Sequence, residues 1–262
     1  MKNQDFYEHD VVTVKRYGKY IQKVTYLSSC RISGLEDDRV QADIQADKEH
    51  SSKGSVNDEK LVSNIARARS KVKEYVLCNP WDFWCTFTLS PKKYDRYNLK
   101  GFVSGFHDFV HSYNRRCSPE DKVRYLLVPE MHKDGAWHMH GFLKGIRESD
   151  LYVNQNGYLS WRQYEQKFGF MSMARIVGDR GIEKLCSYAM KYMSKEIGSS
   201  VTALGSHLYY CSKGLQTAQL VYKGRADLHC DWDWIHPDGF CKVKTFDDRE
   251  DADISEFLEV LS

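Results

Sequence analysis

Strand-like alternation of apolar and polar residues occurs in several short stretches of the chain. β-branched and aromatic residues are frequent in these stretches, and turn residues such as the Asp134-Gly135 pair separate two of them. The alternation predicts an N-terminal hairpin within residues 6–33 and later strands at Phe83–Leu89, Val123–Glu130, Trp137–Leu143 and Phe170–Val177.

A helical period appears in three other stretches, where apolar residues recur every three to four positions. The helices are predicted over residues 57–77, 98–116 and 181–197. The first helix carries basic residues, Arg67 and Lys71 among them, beside its apolar stripe. Such a face is either solvated or in contact with DNA phosphates, and the pattern leaves both interpretations open.

The order of these elements predicts an α+β fold with a central antiparallel sheet and helices packed on one of its faces. We expect three parts of the chain: an N-terminal hairpin extension and flexible linker over residues 1–60, a central domain over 61–224, and a C-terminal extension with an acidic tail over 225–262. The linker is the polar stretch before residue 60.

Composition sets broad limits on function. The 262 residues, 42% of them hydrophobic, suffice for one sizeable globular domain with extensions. The net charge of +2 argues neither for nor against a nucleic-acid partner. Eight scattered cysteines without CxxC spacing read as reduced thiols, and the sequence has no apolar run of membrane-spanning length and no signal peptide. We therefore expect a cytoplasmic protein.

The hairpin around residues 130–140 carries candidate metal ligands. Strand period places His138 and His140 on one face, about 7 Å apart along the strand. Glu130 lies across the hairpin, so two imidazoles and a carboxylate form a compact site for a divalent cation. The alternative is that one histidine is a turn residue and the other a hydrogen-bonded polar group of the core.

The predicted helix after residue 181 contains the unit Tyr-x-x-Lys twice. Tyr188 and Tyr192 are four residues apart, as are Lys191 and Lys195, so each pair shares one helix face. Alone, this pattern also fits an amphipathic helix with packed tyrosines and solvated lysines.

Three motifs together resemble those of the rolling-circle replication initiators of the HUH (His-hydrophobic-His) endonuclease superfamily, of the two-tyrosine phage and plasmid type. The first is Trp84–Pro91 (WCTFTLSP), the second is His138-Met139-His140 with Glu130 upstream, and the third is Tyr188–Lys195 (YAMKYMSK). The resemblance extends over about residues 64–215. It implies a central antiparallel sheet of the RNA-recognition-motif type, with the His-x-His strand in mid-sheet and the tyrosine hydroxyls facing a metal.

The resemblance also implies an activity and a cofactor. Mg²⁺ or Mn²⁺ is expected at His138, His140 and Glu130, and a hydroxyl of Tyr188 or Tyr192 is expected to attack a DNA phosphodiester. The products are a 5′-phosphotyrosine link and a free 3′-OH, and the second tyrosine allows a later transesterification that rejoins the ends. The lysines of the same motif, Lys191 and Lys195, are expected to lower the tyrosine pKa or to neutralise the phosphate.

The expected partners are single-stranded or hairpin origin DNA, a host polymerase and, because no GxxxxGK[ST] pattern occurs, a host helicase in a bacterial cell. Basic and aromatic residues interleave after residue 206, a pattern that favours base stacking and phosphate contacts but also fits a closing hairpin. The candidate DNA contacts are Arg67, Lys71, Thr86, Thr88, Tyr209, Tyr210 and Lys213.

Other functions remain open from the sequence. A non-catalytic, sheet-based module for single-stranded nucleic acid predicts metal-independent binding and no covalent adduct. A non-haem iron oxygenase also uses two histidines and a carboxylate, but needs no helix-borne tyrosine pair. A transposase or relaxase of the HUH superfamily is a further alternative.

Overall fold

The computed structural model describes residues 7–31, 58–193, 200, 205–226, 228, 230–249 and 254. These residues fall into two compact units, one within Met1–Ser55 and Thr217–Ser262 and the other within Val56–Gln216. No helix in the described part of the chain is long and apolar enough to span a membrane.

The described residues form twelve strands and four α-helices. The strands are β1 (Tyr7–Tyr17), β2 (Ile21–Arg31), β3 (Phe83–Thr88), β4 (Arg124–Met131), β5 (Trp137–Lys144), β6 (Leu151–Val153), β7 (Leu159–Trp161), β8 (Met171–Arg175), β9 (Tyr210–Cys211), β10 (Gln219–Arg225), β11 (Trp234–Ile235) and β12 (Cys241–Asp247). The helices are α1 (Asp58–Cys78), α2 (Leu99–Asn114), α3 (Arg162–Lys167) and α4 (Gly178–Lys191).

The first unit is a five-stranded antiparallel sheet with the order β10-β1-β2-β12-β11. The predicted N-terminal hairpin is present as β1 and β2, whose residues Val12, Val14 and Val24 are fully buried. Strands from beyond residue 217 flank the hairpin on both sides. Strand β10, which was predicted within the central domain, therefore completes the sheet of the N-terminal hairpin.

The second unit is built on a seven-stranded antiparallel sheet with the order β6-β7-β8-β3-β5-β4-β9. Strands β3, β5 and β4, which were predicted from alternation, lie together within it. Together with the four helices this confirms the α+β class.

Helices cover both faces of this sheet, so the prediction of helices on one face was wrong. Phe83, Cys85 and Phe87 of β3 point to one side and share a core with α2 and α3. On the other side, Leu126 of β4 and Phe142 of β5 pack with α1 and α4. Because both faces of the central strands carry apolar residues, helices pack against each face.

Two glycines shape the β4–β5 hairpin. Gly135 has a φ of +83° in the predicted turn, where it donates to the His132 carbonyl. At Gly141, an added Cβ would lie only 2.0 Å from the Leu126 carbonyl oxygen. Glycine at this position therefore permits the close approach of β4 to β5 beside His140.

Candidate functional site

Strand register brings the predicted histidines together with residues of both neighbouring strands. His138 is opposite Glu130 of β4 and Thr88 of β3, and His140 is opposite Thr86. Directly opposed residues of antiparallel strands have their Cβ atoms about 4.5–5.5 Å apart. The two histidines thus lie mid-sheet on one face, as the period of two predicted.

A threonine hydroxyl contacts the Nδ1 atom of each histidine. Thr86 Oγ1 lies 3.1 Å from His140 Nδ1, and Thr88 Oγ1 lies 3.3 Å from His138 Nδ1. His140 Nε2 lies 2.5 Å from Glu130 Oε2, to which the ring N–H donates. Because a hydroxyl both donates and accepts, each threonine holds its ring whether Nε2 carries a proton or offers a lone pair to a ligand.

Burial keeps both imidazoles close to the neutral form. His140 is only 7% exposed, and burial lowers its pKa although the carboxylate of Glu130 opposes that shift. Burial also lowers the pKa of His138, helped by the neighbouring imidazoles of His132 and His140. Neutral imidazole is the form that ligates metals.

His132 was not predicted as a site residue. Its ring stacks on that of His138, with centroids 4.6 Å apart and planes at 18°. The residue follows β4 at the start of the turn, and the hairpin folds it back over β5. A third histidine within the hairpin was the only signal in the sequence, since strand alternation does not extend into a turn.

The predicted tyrosine helix lies over this face of the sheet. The Tyr192 hydroxyl donates a 2.7 Å hydrogen bond to the Tyr188 hydroxyl, and the two rings are perpendicular. The Tyr192 ring stacks in parallel on His140 with centroids 4.1 Å apart. Burial, followed by the hydrogen bond to Tyr188, raises the pKa of Tyr192. Tyr188 is 42% exposed and accessible to a large substrate.

Trp84 and Lys191 flank Tyr188. The Trp84 ring contacts Tyr188 edge to face at 5.6 Å and lies nearly parallel to His140 at 6.3 Å. Lys191 Nζ is 5.4 Å from the centre of the Tyr188 ring. This cation therefore lies near the tyrosine, whereas Lys195 lies outside the described residues.

Contacts with α1 fix the position of α4. Cys186 and Ala189 are buried in a shared core with Val72 of α1. The Arg69 guanidinium donates a 2.9 Å hydrogen bond to the carbonyl of Met190, in the last turn of α4. The Met190 carbonyl also accepts a 3.2 Å bond from the Met193 N–H, and because carbonyls in the last turn carry partial negative charge, a guanidinium there stabilises the helix end that holds the tyrosines.

The predicted metal ligands are neighbours, but their side chains do not converge on a common coordination centre. No group of three or more His, Cys, Asp or Glu side chains within the described ranges is placed to hold an ion. Glu130 and His140 meet directly, and His138 is the cross-strand neighbour of Glu130. Two neutral imidazoles and a carboxylate are a suitable donor set for a divalent cation, so the residues fit the expected cofactor by their chemistry.

The candidate DNA contacts lie in three places. Thr86 and Thr88 hold the histidines. On α1, Arg67 is exposed, whereas Lys71 is paired with Glu74 at 2.8 Å. The remaining three, Tyr209, Tyr210 and Lys213, lie in or beside β9. Tyr209 packs edge to face on Tyr75. Lys213 lines one cavity beside α2, and Tyr210 lines a second.

Residues 82–197 match a family model of replication-associated proteins, the one described by the name ORF2. The matched segment, somewhat less than half of the chain, contains both the histidine hairpin and the tyrosine helix. No curated protein and no solved structure matches the chain. This segment is therefore similar to replication-associated proteins.

Proposed function

We propose that the protein is a replication initiator of the two-tyrosine HUH type, which nicks one strand of origin DNA by tyrosine transesterification and later rejoins the ends. One observation carries the proposal: two tyrosine hydroxyls lie 2.7 Å apart, and one of the rings stacks on a histidine that contacts Glu130. A nucleophile pair beside a carboxylate and two imidazoles is suited to phosphodiester chemistry.

The first step conserves the phosphodiester bond energy. A tyrosine oxygen attacks phosphorus, the bond from phosphorus to the 3′ oxygen breaks, and a 5′-phosphotyrosine ester forms. The tyrosine proton leaves to water at the exposed side of Tyr188, and the departing 3′ oxygen takes up one proton from water. Lys191, near Tyr188, neutralises phosphate charge. The free 3′-OH is then available to a host polymerase.

The second tyrosine supports a second reaction at the same site. With one hydroxyl esterified, the other still lies within one helical turn of it and attacks a newly made origin sequence. The released 3′-OH then attacks the older phosphotyrosine ester, which rejoins a strand and frees the first tyrosine. Cleavage and rejoining therefore use one set of side chains.

We infer that His138, His140 and Glu130 would hold Mg²⁺ or Mn²⁺, with His132 beside them. When bound, the cation supplies charge neutralisation and polarisation at a non-bridging phosphate oxygen. Thr86 and Thr88 orient the two imidazoles for this role. The proposed partners are single-stranded or hairpin origin DNA, a host helicase and a host polymerase, in the bacterial cytoplasm.

A label-transfer experiment tests the proposal. The full chain is mixed with a library of 5′-blocked, 3′-labelled single-stranded oligonucleotides in Mn²⁺, in Mg²⁺ or in chelator, and separated on a denaturing gel. The proposal expects labelled protein only with metal, and none from the Tyr188→Phe/Tyr192→Phe variant. Metal-independent binding without any adduct would instead support the non-catalytic binding module.

A further inference from the structure

A basic groove runs beside α2, away from the tyrosine helix. Two adjoining cavities of about 650 and 390 Å³ share the lining residues His107, Tyr125 and Cys211. We call them together the α2 groove. Its walls are α2 on one side and, on the other, the start of β4 and the segment around β9.

The groove lies at the β9 edge of the sheet, on the side that α2 covers. Tyr125, at its floor, belongs to the core shared with α2. Tyr192 and Trp84 pack in the other core, with α1 and α4. The α2 wall of the groove and the tyrosine pair therefore lie on different sides of the sheet, and the two sides meet at the edge strand β9, where Cys211 packs in the core of α1 and α4.

Positive charge dominates the groove. Four exposed cations line the larger cavity: Arg115, Lys122, Arg124 and Lys213. No carboxylate lines either cavity, and among the described residues no ion pair joins these four cations to an acidic side chain. The acidic residue of α2 is Asp108, which faces His107 at 3.6 Å. In a chain with a net charge of only +2, this is a local excess of positive charge, with Glu120 as an acidic neighbour of Lys122 and Arg124 in an adjoining cavity.

Ring systems are interleaved with the cations. His107 and His111, both exposed on α2, lie nearly parallel, with ring centroids 6.4 Å apart and planes at 15°. His207 and Tyr210 line the smaller cavity. Flat rings beside cations match the way proteins bind single-stranded nucleic acid without sequence preference, with bases stacked on rings and phosphates on lysine and arginine.

We propose that the α2 groove binds a second segment of single-stranded DNA, apart from the strand that reacts at the tyrosine pair. The combined volume of the two cavities is in the range of sites for drug-sized ligands, and it is larger than one phosphate ion requires. The four cations contact the phosphates of the DNA backbone, and the bases stack on the rings. The choice of DNA as the nucleic acid rests on the proposed function, whereas the groove itself rests on its charge and shape.

The groove gives the initiator a way to retain the strand that it does not hold covalently. After cleavage the tyrosine keeps the 5′ end, and the free segment has no other bond to the protein. A strand that passes round the β9 edge of the sheet reaches from one face to the other. A sequence-independent groove suits this task because the retained segment changes as replication proceeds.

Lysine footprinting locates the bound strand directly. The wild-type chain is acylated with and without saturating oligo-dT, and the modified lysines are quantified by peptide mass spectrometry. We expect several-fold protection of Lys122 and Lys213. Lys19 and Lys92, two exposed lysines that do not line the groove, serve as internal references and should be unprotected. Equal reactivity of Lys122 and Lys213 with and without oligo-dT would overturn the proposal.

Charge reversal gives an independent test. We expect Lys122→Glu/Lys213→Glu to weaken oligo-dT binding about tenfold or more at low salt relative to Lys19→Glu/Lys92→Glu, which changes the net charge equally. Neutral Lys122→Gln/Lys213→Gln should reduce the slope of log affinity against log salt by about 1.4, that is, about 0.7 for each lost contact. Unchanged affinity and slope, or selective loss of duplex binding alone, would contradict the proposal.

The outcome is separable from that of the nicking reaction. Oligo-dT binding is measured by fluorescence anisotropy and does not require cleavage, so the groove is testable even if no adduct forms. Conversely, short oligonucleotides of about 10 nucleotides, within the ~4–16 nucleotides that one OB fold covers, should react with the single variant Lys122→Glu at the wild-type rate. If a folded variant also failed to react with short oligonucleotides, the groove would bind the strand that reacts at the tyrosine pair. That result would overturn the claim that the groove binds a second segment.

Discussion

The hydroxyls of Tyr188 and Tyr192 share a 2.7 Å hydrogen bond. The oxygen that accepts a hydrogen bond is stabilised as an anion, whereas the donor is held in its protonated form. Burial contributes most to the raised pKa of Tyr192 and so favours Tyr192 as the protonated donor, whereas Tyr188 lies exposed near the Lys191 ammonium group. We infer that Tyr188 attacks first and Tyr192 second.

Single tyrosine variants test this order. Tyr192→Phe removes a hydrogen bond to a developing phenolate, which is worth about 1.5–3 kcal/mol, and should slow the first cleavage about 10- to 100-fold without abolishing it. Tyr188→Phe removes the first nucleophile and should slow that cleavage further. The measurement is the single-turnover rate of adduct formation on a cleavable oligonucleotide. A faster first cleavage in Tyr188→Phe than in Tyr192→Phe would reverse the assignment.

Thr86 should tune metal affinity through His140. Thr86→Val preserves shape but removes the hydroxyl 3.1 Å from Nδ1, and loss of such a supporting contact commonly weakens metal binding about 10- to 100-fold. Titration calorimetry with Mn²⁺ measures the change. Ser172→Ala is the matched control because Ser172 lies opposite Thr86 on β8. Equal Mn²⁺ affinity in Thr86→Val and wild type would argue against His140 as a ligand.

Part of the candidate site was predictable from the sequence alone. The pairing of His138 with His140 and of Tyr188 with Tyr192 followed from spacing, because strand and helix periods are local properties. The hydrogen bond between the two tyrosine hydroxyls and the threonine contacts were not predicted. These depend on strand register and on how α4 crosses the sheet, which residues far apart in sequence determine.

Arg69 should act as a positioning residue for the tyrosine helix. Arg69→Ala removes the bond to the Met190 carbonyl and should cost about 1 kcal/mol, or a roughly 2–4 °C lower Tm, together with a slower adduct rate at saturating DNA. Arg67→Ala, two residues away on the exposed face, should leave Tm unchanged and affect at most DNA affinity. Identical Tm values and adduct rates in the two variants would contradict the proposal that Arg69 positions the tyrosine helix.

Glu165 should make stability depend on pH. Burial raises its pKa, but hydrogen bonds from Tyr152 and Asn154 outweigh burial and lower the pKa below the ordinary value of 4.5. A lowered folded-state pKa contributes stability above the unfolded-state value, and this contribution is lost as pH falls through the folded-state value. We therefore expect Tm to fall below about pH 4.5 less steeply in Glu165→Gln than in wild type.

The control for that experiment is Glu120→Gln, which alters an exposed carboxylate and should retain the wild-type pH dependence. Calorimetric or circular-dichroism melting between about pH 3 and pH 7, with each variant in the same buffers, gives the comparison. Parallel curves for Glu165→Gln and wild type would contradict the predicted role of this carboxylate.

The fold was predictable where each element carries its own pattern. The hairpin Asp134-Gly135 turn and the central strands follow from local signals. The placement of helices on both faces was missed because apolar residues on β4 serve two cores at once, so its pattern has no polar face. The pairing of β10 with β1 joins segments at opposite ends of the chain, which no local pattern encodes.

The most direct test of the tyrosine mechanism is to identify the residue that carries the DNA. Trypsin cleaves after Lys184, Lys191 and Lys195, so Tyr188 lies in the peptide Leu185–Lys191 and Tyr192 in the peptide Tyr192–Lys195. Mass spectrometry of the nuclease-trimmed adduct, formed in Mn²⁺, should find a nucleotide on Tyr188 first and on Tyr192 at later times. An adduct on any other residue, or no adduct on either peptide with cleavable origin DNA, would contradict the tyrosine mechanism.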